Sequence, residues 1–586
     1  MQLHGQHVLI LGLGTTGLAM ARWCAQAGAD VTVADTRDTP PQLTTLQAEW
    51  PAVRFVPGPL VASLVEGSSV RAVFRSPGLA PEVVAPVVDA ARAMGLWQGG
   101  ELSLFAACMQ DLKERFGYAP EVLAITGTNG KTTVTSLTGQ LVARAGKTVK
   151  VAGNIGPTLL DTLSEAMTQA QEQVAREEAR QELAERVTEK ENAEQPVAEP
   201  AGAAVRATPA DQAADASLSE DTKDTPVDGL DDQDGPMWLA PVAPVAVHPM
   251  AQALPQVWVL ELSSFQLDSS EGFEPTAATV LNISQDHLDW HGTMAAYVAA
   301  KARIFGAQAL MVLNREDPLV MAMRPEPVRI KLQKPVERAC TLFGGDMPQR
   351  PGDFGIEVMN GMTWLVRALE ADETRRRRKT EDEELHIQRL MPADALRIRG
   401  RHNAVNALAA LALASNAGCA LGPMLYGLRE YRGEPHRVEP VAIIHGVEFF
   451  DDSKGTNVGA TVAALKGLGE ERRVVLIMGG EGKGQDFTPL AEPVSRYARA
   501  VVLIGRDAPL IQAVLQDQGV PLCDAPDMHT AVAMAADKAQ NGDAVLMSPA
   551  CASFDMFDHY VHRAEVFVQA VSSLAEAAGV AMEGGL

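Results

Sequence analysis

Aromatic residues are scarce in this chain, at 5% of 586 residues. Cysteine is rarer: Cys24, Cys108, Cys340, Cys419, Cys523 and Cys551 are scattered, with no C-x-x-C spacing. That pattern argues against a disulfide framework or a cysteine zinc site and fits free thiols in a reducing compartment. No apolar run approaches the ~18–20 residues needed to cross a bilayer. The short run at 7–11 enters a glycine loop with no basic leader, unlike a secretory signal. These absences predict a soluble, cytoplasmic protein. Basic charge is also short: the net charge of −24 argues against general nucleic-acid binding. Much of it is local, since 20 acidic and 6 basic residues lie between Asp161 and Asp234. No fixed-period repeat of the solenoid kind is present.

What remains is ordinary globular material: 46% hydrophobic and 21% charged residues, enough for about three or four domains. The first stretch reads as βαβ units. HVLIL (7–11) is a strand, 18–27 a helix, 31–34 a second strand ending at Asp35, and RAVFR (71–75) another strand. The unit ends near Trp97. A second α/β unit starts near Glu121, with a strand at 122–126, a helix at 131–145, and strands at 148–151, 257–261, 278–283 and 309–313. A third begins near Glu434, with strands at 447–451, 474–478, 500–504 and 544–547. Strands alternating with helices imply parallel sheets. The expected boundaries are 1–98, 99–433 and 434–586. An insertion at about 164–253 should form a charged helix and then a disordered acidic arm, too poor in apolar residues to offset its ordering entropy. A smaller insertion, 366–388, carries RRRRK (375–379) and EDEE (381–384). It reads as a solvated hairpin or loop tip rather than a basic docking patch, because the acidic run follows directly.

The strongest motif is Thr126-Gly127-Thr128-Asn129-Gly130-Lys131-Thr132-Thr133, between a strand and a helix. Glycines let backbone N–H groups curl round phosphate oxygens at a helix N-terminus. Lys131 is placed to reach β/γ-phosphates, and Thr132 to ligate Mg²⁺. Gly12-x-Gly14-x-x-Gly17 with Asp35 fits either NAD or another nucleotide diphosphate. Glu261 closes an apolar strand, His287 follows the next, and Lys301 lies on the helix after that. Beside a phosphate loop they read as metal and phosphate ligands, although an unmodified lysine has only donors and cannot ligate Mg²⁺. Three polar loops, 452–457, 479–483 and 548–555, each follow a strand and should line one sheet edge as a site for a small anion. Cys551 has no local histidine and reads as a small buried thiol, not a nucleophile.

These motifs, in this order, resemble the Mur ligase family of peptidoglycan synthesis over nearly the whole chain. The discriminating pieces are DTR at 35–37, SPG at 76–78, ELSSFQL at 261–267, DSKGTN at 452–457 and SPACASFD at 548–555. The resemblance implies three domains: an N-terminal Rossmann-like UDP-binding domain, a central P-loop ATPase-like domain and a C-terminal Rossmann-like domain. It implies the branch that joins D-glutamate to UDP-N-acetylmuramoyl-L-alanine at the expense of ATP, since the Asp-Asn-Pro-Arg loop of ligases adding a diamino acid is absent. By that resemblance Thr15, Thr16, Gly17, Asp35, Thr36, Arg37, Ser76, Gly78 and Asn154 hold the UDP-sugar. Residues 127–133 bind ATP phosphates, with Asn403, Arg437 and Asp452 near the adenosine. Thr132, Glu261, His287 and a carbamylated Lys301 hold two Mg²⁺. Lys454, Thr456, Lys483, Ser553 and Tyr560 hold D-glutamate, and nothing demands more than a monomer. A folylpolyglutamate-type ligase shares the ATP loop but not DTR. An NAD oxidoreductase leaves GTNGKTT idle, and a non-enzymatic nucleotide sensor needs no three-domain closure.

Overall fold

A computed structural model describes residues 3–193, 247–327, 335–370 and 385–580. One unit comprises residues 1–168 and 254–586; a second comprises 169–253. Three α/β domains with mostly parallel sheets lie within the first unit. The expected acidic arm falls largely, and RRRRK and EDEE fall wholly, outside the described residues. Among the described residues no helix is long and apolar enough to cross a membrane.

The first sheet has five parallel strands in the order Arg54–Pro57, Asp30–Asp35, His7–Leu11, Val70–Arg75, Trp97–Gly99. Its central strands are almost wholly buried apolar runs, as a sheet covered on both faces requires. Trp97–Gly99 pairs with Val70–Arg75, so this sheet runs one residue past the expected boundary at 98.

The second sheet has six parallel strands. Glu121–Thr126 lies inside it, flanked by Val257–Glu261 and Ala277–Val280. The strand expected at 278–283 ends at Val280. Beyond it the Asn282 carbonyl accepts the Thr128 amide at 2.9 Å, so this segment braces the phosphate loop instead of extending the sheet.

The 366–388 stretch, expected as a solvated hairpin or loop tip, starts and ends inside two paired antiparallel strands. Phe354–Met359, Met362–Glu370 and Leu385–Pro392 form an antiparallel three-stranded sheet. Asn360 and Gly361 both have positive φ, 53° and 78°, as a tight hairpin turn between right-twisted strands demands. Leu365, Val366 and Ala368 are buried, so the residues before 371 belong to a packed layer.

The expected insertion at 164 also begins inside an element. The helix Leu159–Ala193 starts five residues earlier and buries Leu159, Leu160, Leu163 and Ala166.

The last sheet has the order Glu439–Ile444, Val447–Asp451, Ala544–Met547, Val474–Gly479, Ala498–Ile504, Leu522–Asp524. Only the first pair is antiparallel. The three polar loops follow its three adjacent inner strands, and so share one rim.

Candidate active site

The phosphate loop leaves the sheet at Thr126 and enters the helix Lys131–Arg144 through Gly130. Gly130 has φ 82°, and a Cβ there would stand 2.8 Å from Asn406 Oδ1. Lys131 Nζ donates to the carbonyls of Gly127 and Thr128 at 3.0 and 2.9 Å. Lys301 Nζ donates to the same Gly127 carbonyl at 2.9 Å and to Thr126 Oγ1 at 3.3 Å. Two ammonium groups therefore converge on one loop. Lys301 is 2% exposed. Burial, then the charge of Lys131, holds its pKa well below the usual lysine range. Burial also lowers that of Lys131.

Glu261 sits at the end of its strand beside the loop. Oε1 accepts from Asn154 Nδ2 at 2.9 Å; Oε2 is buried without a hydrogen-bond partner. His287 has φ 54° and caps the helix Leu288–His291. Its Nε2 lies 3.6 Å from Asp286 Oδ2. Burial lowers its pKa, with Asp286 opposing.

The C-terminal domain closes the other side. Asn457 caps its helix by accepting from the Ala460 amide at 2.9 Å, and its Nδ2 donates to Asn129 Oδ1 at 3.1 Å. One side chain thus starts a helix and touches the phosphate loop. Arg437, on the segment joining the two domains, donates to Thr132 Oγ1 at 2.6 Å. Lys454 Nζ lies 3.9 Å from the centre of the Tyr560 ring. Burial, then Arg437, lowers its pKa. Lys131, Thr132, Asn154, Glu261, His287, Arg437, Lys454, Thr456, Lys483 and Tyr560 line one cavity of about 640 Å³.

Several expected residues are elsewhere. Gly127 and Thr133 belong to the loop but do not line the cavity. Asn403 is buried on the helix Arg401–Asn416 and donates to the Arg399 carbonyl at 2.8 Å. Asp452 is buried behind the wall, accepts from Ser548 Oγ at 2.6 Å, and has its pKa pushed up to about 7 by burial. Ser553 is buried beside the rim. Cys551 is buried, which pushes its thiol up to about 12 and leaves it unreactive.

Asn154 is the one residue of the expected UDP-sugar set on this cavity. The others lie at or just past the ends of three neighbouring strands of the first sheet. Thr15, Thr36, Arg37 and Gly78 are exposed there, and Thr16 is half-buried. Gly17 is obligatory: a Cβ would come within 2.0 Å of the Gly12 carbonyl oxygen. Asp35 is buried and accepts from the Leu13 amide at 2.7 Å and the Arg37 guanidinium at 2.8 Å. Burial opposes its charge, but these donors win and hold its pKa at about 2. Ser76 donates its amide to the Leu11 carbonyl.

Asp286 and His436 line the cavity without having been singled out in the sequence, and Asn457 lines it after being noted only as the end of the polar loop 452–457. Each adjoins a chosen residue, and that adjacency was the available signal. His436, Glu439 and Asp451 also bring possible ligand atoms within 4.8 Å of one another. Those atoms already bond: His436 Nδ1 to Asp451 at 2.7 Å, and the His436 amide to Glu439 at 2.8 Å.

Three family descriptions match in chain order. They are a Mur ligase MurD-like N-terminal domain (6–97), a Mur ligase middle domain (125–195 and 243–338) and a Mur ligase glutamate ligase domain (436–551). The chain is 60% identical to the UDP-N-acetylmuramoylalanine–D-glutamate ligase of Albidiferax ferrireducens, over 99% of each chain. It is 52% identical to the protein so named in Polaromonas sp., over 99% of this chain and 100% of that one. Among solved structures, a MurF ligase from Thermotoga maritima in complex with ADP aligns over 98% of this chain and 97% of that one, at 14% identity and a TM-score of 0.49.

Proposed function

The chain belongs to the Mur ligase family, and from that premise we propose that it joins D-glutamate to UDP-N-acetylmuramoyl-L-alanine, converting ATP to ADP and phosphate. The observation that carries the reading is the shared cavity. It puts the phosphate-loop lysine and Glu261 opposite Lys454, Thr456 and Lys483 of another domain. An ATP site thus faces a cationic pocket suited to an amino-acid dicarboxylate.

A carboxylate is a poor acyl donor until it is phosphorylated. The L-alanine carboxylate attacks the γ-phosphorus of ATP, forming an acyl phosphate and releasing ADP. Lys131 offsets the charge on the transferring group. The neutral amine of D-glutamate then attacks the acyl carbon, phosphate leaves, and the amine proton passes to a base. Lys454 and Lys483 hold the D-glutamate carboxylates, and Asn154 fixes Glu261 by the bond to Oε1.

Mg²⁺ fits this donor set, because the partnerless buried Oε2 of Glu261 needs a cation. Thr132, Glu261, His287 and Lys301 as its carbamate would hold two ions, which supply positive charge to phosphate oxygens when bound. Carbamylation requires a neutral amine, and the depressed pKa of Lys301 favours that form. The nitrogen adds to CO₂, a proton leaves, and the product carries oxygens able to ligate a metal.

Phosphate release with ATP and UDP-N-acetylmuramoyl-L-alanine tests the activity. It should require D-glutamate and ignore L-glutamate and NAD; indifference to the amino acid would sink the reading. Lys301→Ala should lose nearly all activity and recover part of it with short carboxylates. Full activity without rescue removes the carbamate.

A further inference from the structure

His291 is not among the residues that the ligase chemistry above uses, yet three rings and a hydroxyl meet on it. Its ring is parallel to Phe265, with centroids 5.7 Å apart and an interplanar angle of 8°. It packs edge-on against Tyr297 at 5.3 Å and Trp290 at 4.5 Å. Its Nε2 is 2.9 Å from Ser264 Oγ, on the strand-to-helix corner that follows Glu261. Burial pushes its pKa down to about 4, so the ring is neutral near pH 7.

Two of these partners lead to the two nitrogen-bearing residues of the proposed metal site. Phe265 meets the His287 ring edge-on at 4.7 Å. Asp286 Oδ2 is 3.6 Å from His287 Nε2, beyond a hydrogen bond, so the Phe265 ring is a packing contact that orients that imidazole. On the other side, Lys301 Nζ lies 4.7 Å from the centre of the Tyr297 ring. The Tyr297 hydroxyl is 3.1 Å from Thr128 Oγ1 and so fixes that ring to the phosphate loop. A continuous path of rings runs from His287 through Phe265, His291 and Tyr297 to Lys301.

We propose that His291 is a positioning residue that sets the spacing of His287 and Lys301 through Phe265 and Tyr297, and thereby sets the affinity of the site for its divalent cation. The proposal rests on the reading of His287 and carbamylated Lys301 as metal ligands. Metal ligands need orientation within about half an ångström, and loss of an outer support typically costs 10–100-fold in metal affinity.

The test is Mn²⁺ binding to the full chain with ADP, followed by electron paramagnetic resonance, beside the Mg²⁺ dependence of phosphate release. His291→Leu should weaken Mn²⁺ binding roughly ten-fold and raise the half-saturating Mg²⁺ to match, with the KM for D-glutamate unchanged. His291→Phe keeps a ring and should recover most of the affinity. Unchanged Mn²⁺ binding in His291→Leu overturns the proposal. If that variant does not fold, Ser264→Ala removes only the hydroxyl that anchors the ring. It should show a smaller shift in the same direction, and wild-type Mn²⁺ affinity there overturns the proposal too. His287→Ala and Lys301→Ala control the premise. If neither weakens Mn²⁺ binding, the metal-ligand reading itself has failed, and the proposal falls with it.

Discussion

Glu101 is a carboxylate 2% exposed, at the start of the helix Glu101–Phe116. Its Oε1 accepts the Leu160 amide at 3.0 Å, which satisfies a free N–H in the first turn of another helix. Burial is the largest influence and pushes its pKa up to about 7, from an ordinary value of 4.5. A carboxyl whose pKa rises on folding contributes stability that is full below its unfolded pKa and is lost as pH rises through the folded one. Glu101→Gln keeps the acceptor and abolishes the titration. The apparent Tm of the variant minus that of wild type should therefore increase between pH 5 and pH 8. Calorimetry at the two pH values checks this, and a constant difference refutes it. Asp35 is the reverse case: its donors were not visible in GLGTTG, yet its strand-end position was. Residues whose role follows from place in a motif were legible in this way. Glu101 and His291 were not, because their importance comes from partners distant in sequence or from ring geometry.

The helix Leu159–Ala193 divides into a packed start and an exposed continuation. Leu163 is fully buried, whereas Leu183 is 64% exposed. Truncating a buried leucine removes transfer energy and leaves a cavity, so Leu163→Ala should cost about 2–5 kcal/mol. Leu183→Ala should change stability by no more than about 0.5 kcal/mol. Thermal unfolding of the two variants separates them, and equal Tm losses would mean that the continuation packs as the start does. The contrast also shows what could be read from sequence at this scale. Composition marked the charged insertion but not its first residue, because one unbroken helix, Leu159–Ala193, runs through the expected boundary. Strands buried on both faces, such as Val257–Glu261, were legible as apolar runs. The antiparallel sheet at 354–392 was missed although Asn360-Gly361 is a strong hairpin signal. Its strands are only partly buried, and the charged runs at 375–384 drew the reading away from them.

At the scale of the whole molecule, one domain serves two ligands in the proposed reaction. Arg437 reaches Thr132 on the phosphate loop, while the Lys454 amide donates to the His436 carbonyl next to Arg437, at 3.2 Å. His436 and Val438 have φ of 63° and 49°, left-handed values that cost a β-branched residue most, so the joining segment is held in one conformation by its contacts. A nucleotide that engages Thr132 and Arg437 therefore biases the placement of Lys454 and Thr456. By linkage, D-glutamate must then bias nucleotide affinity by the same factor. Couplings of this kind are typically about 1–3 kcal/mol, or roughly 5–150-fold. Titration calorimetry with a non-hydrolysable ATP analogue, with and without D-glutamate and UDP-N-acetylmuramoyl-L-alanine, should give equal factors in both directions. Arg437→Ala should weaken the analogue and also reduce the factor towards one, because the bridge to Thr132 is gone. A variant that binds the analogue more weakly yet keeps the full factor would show that the domains communicate by another route, with the Asn457–Asn129 contact the next to remove.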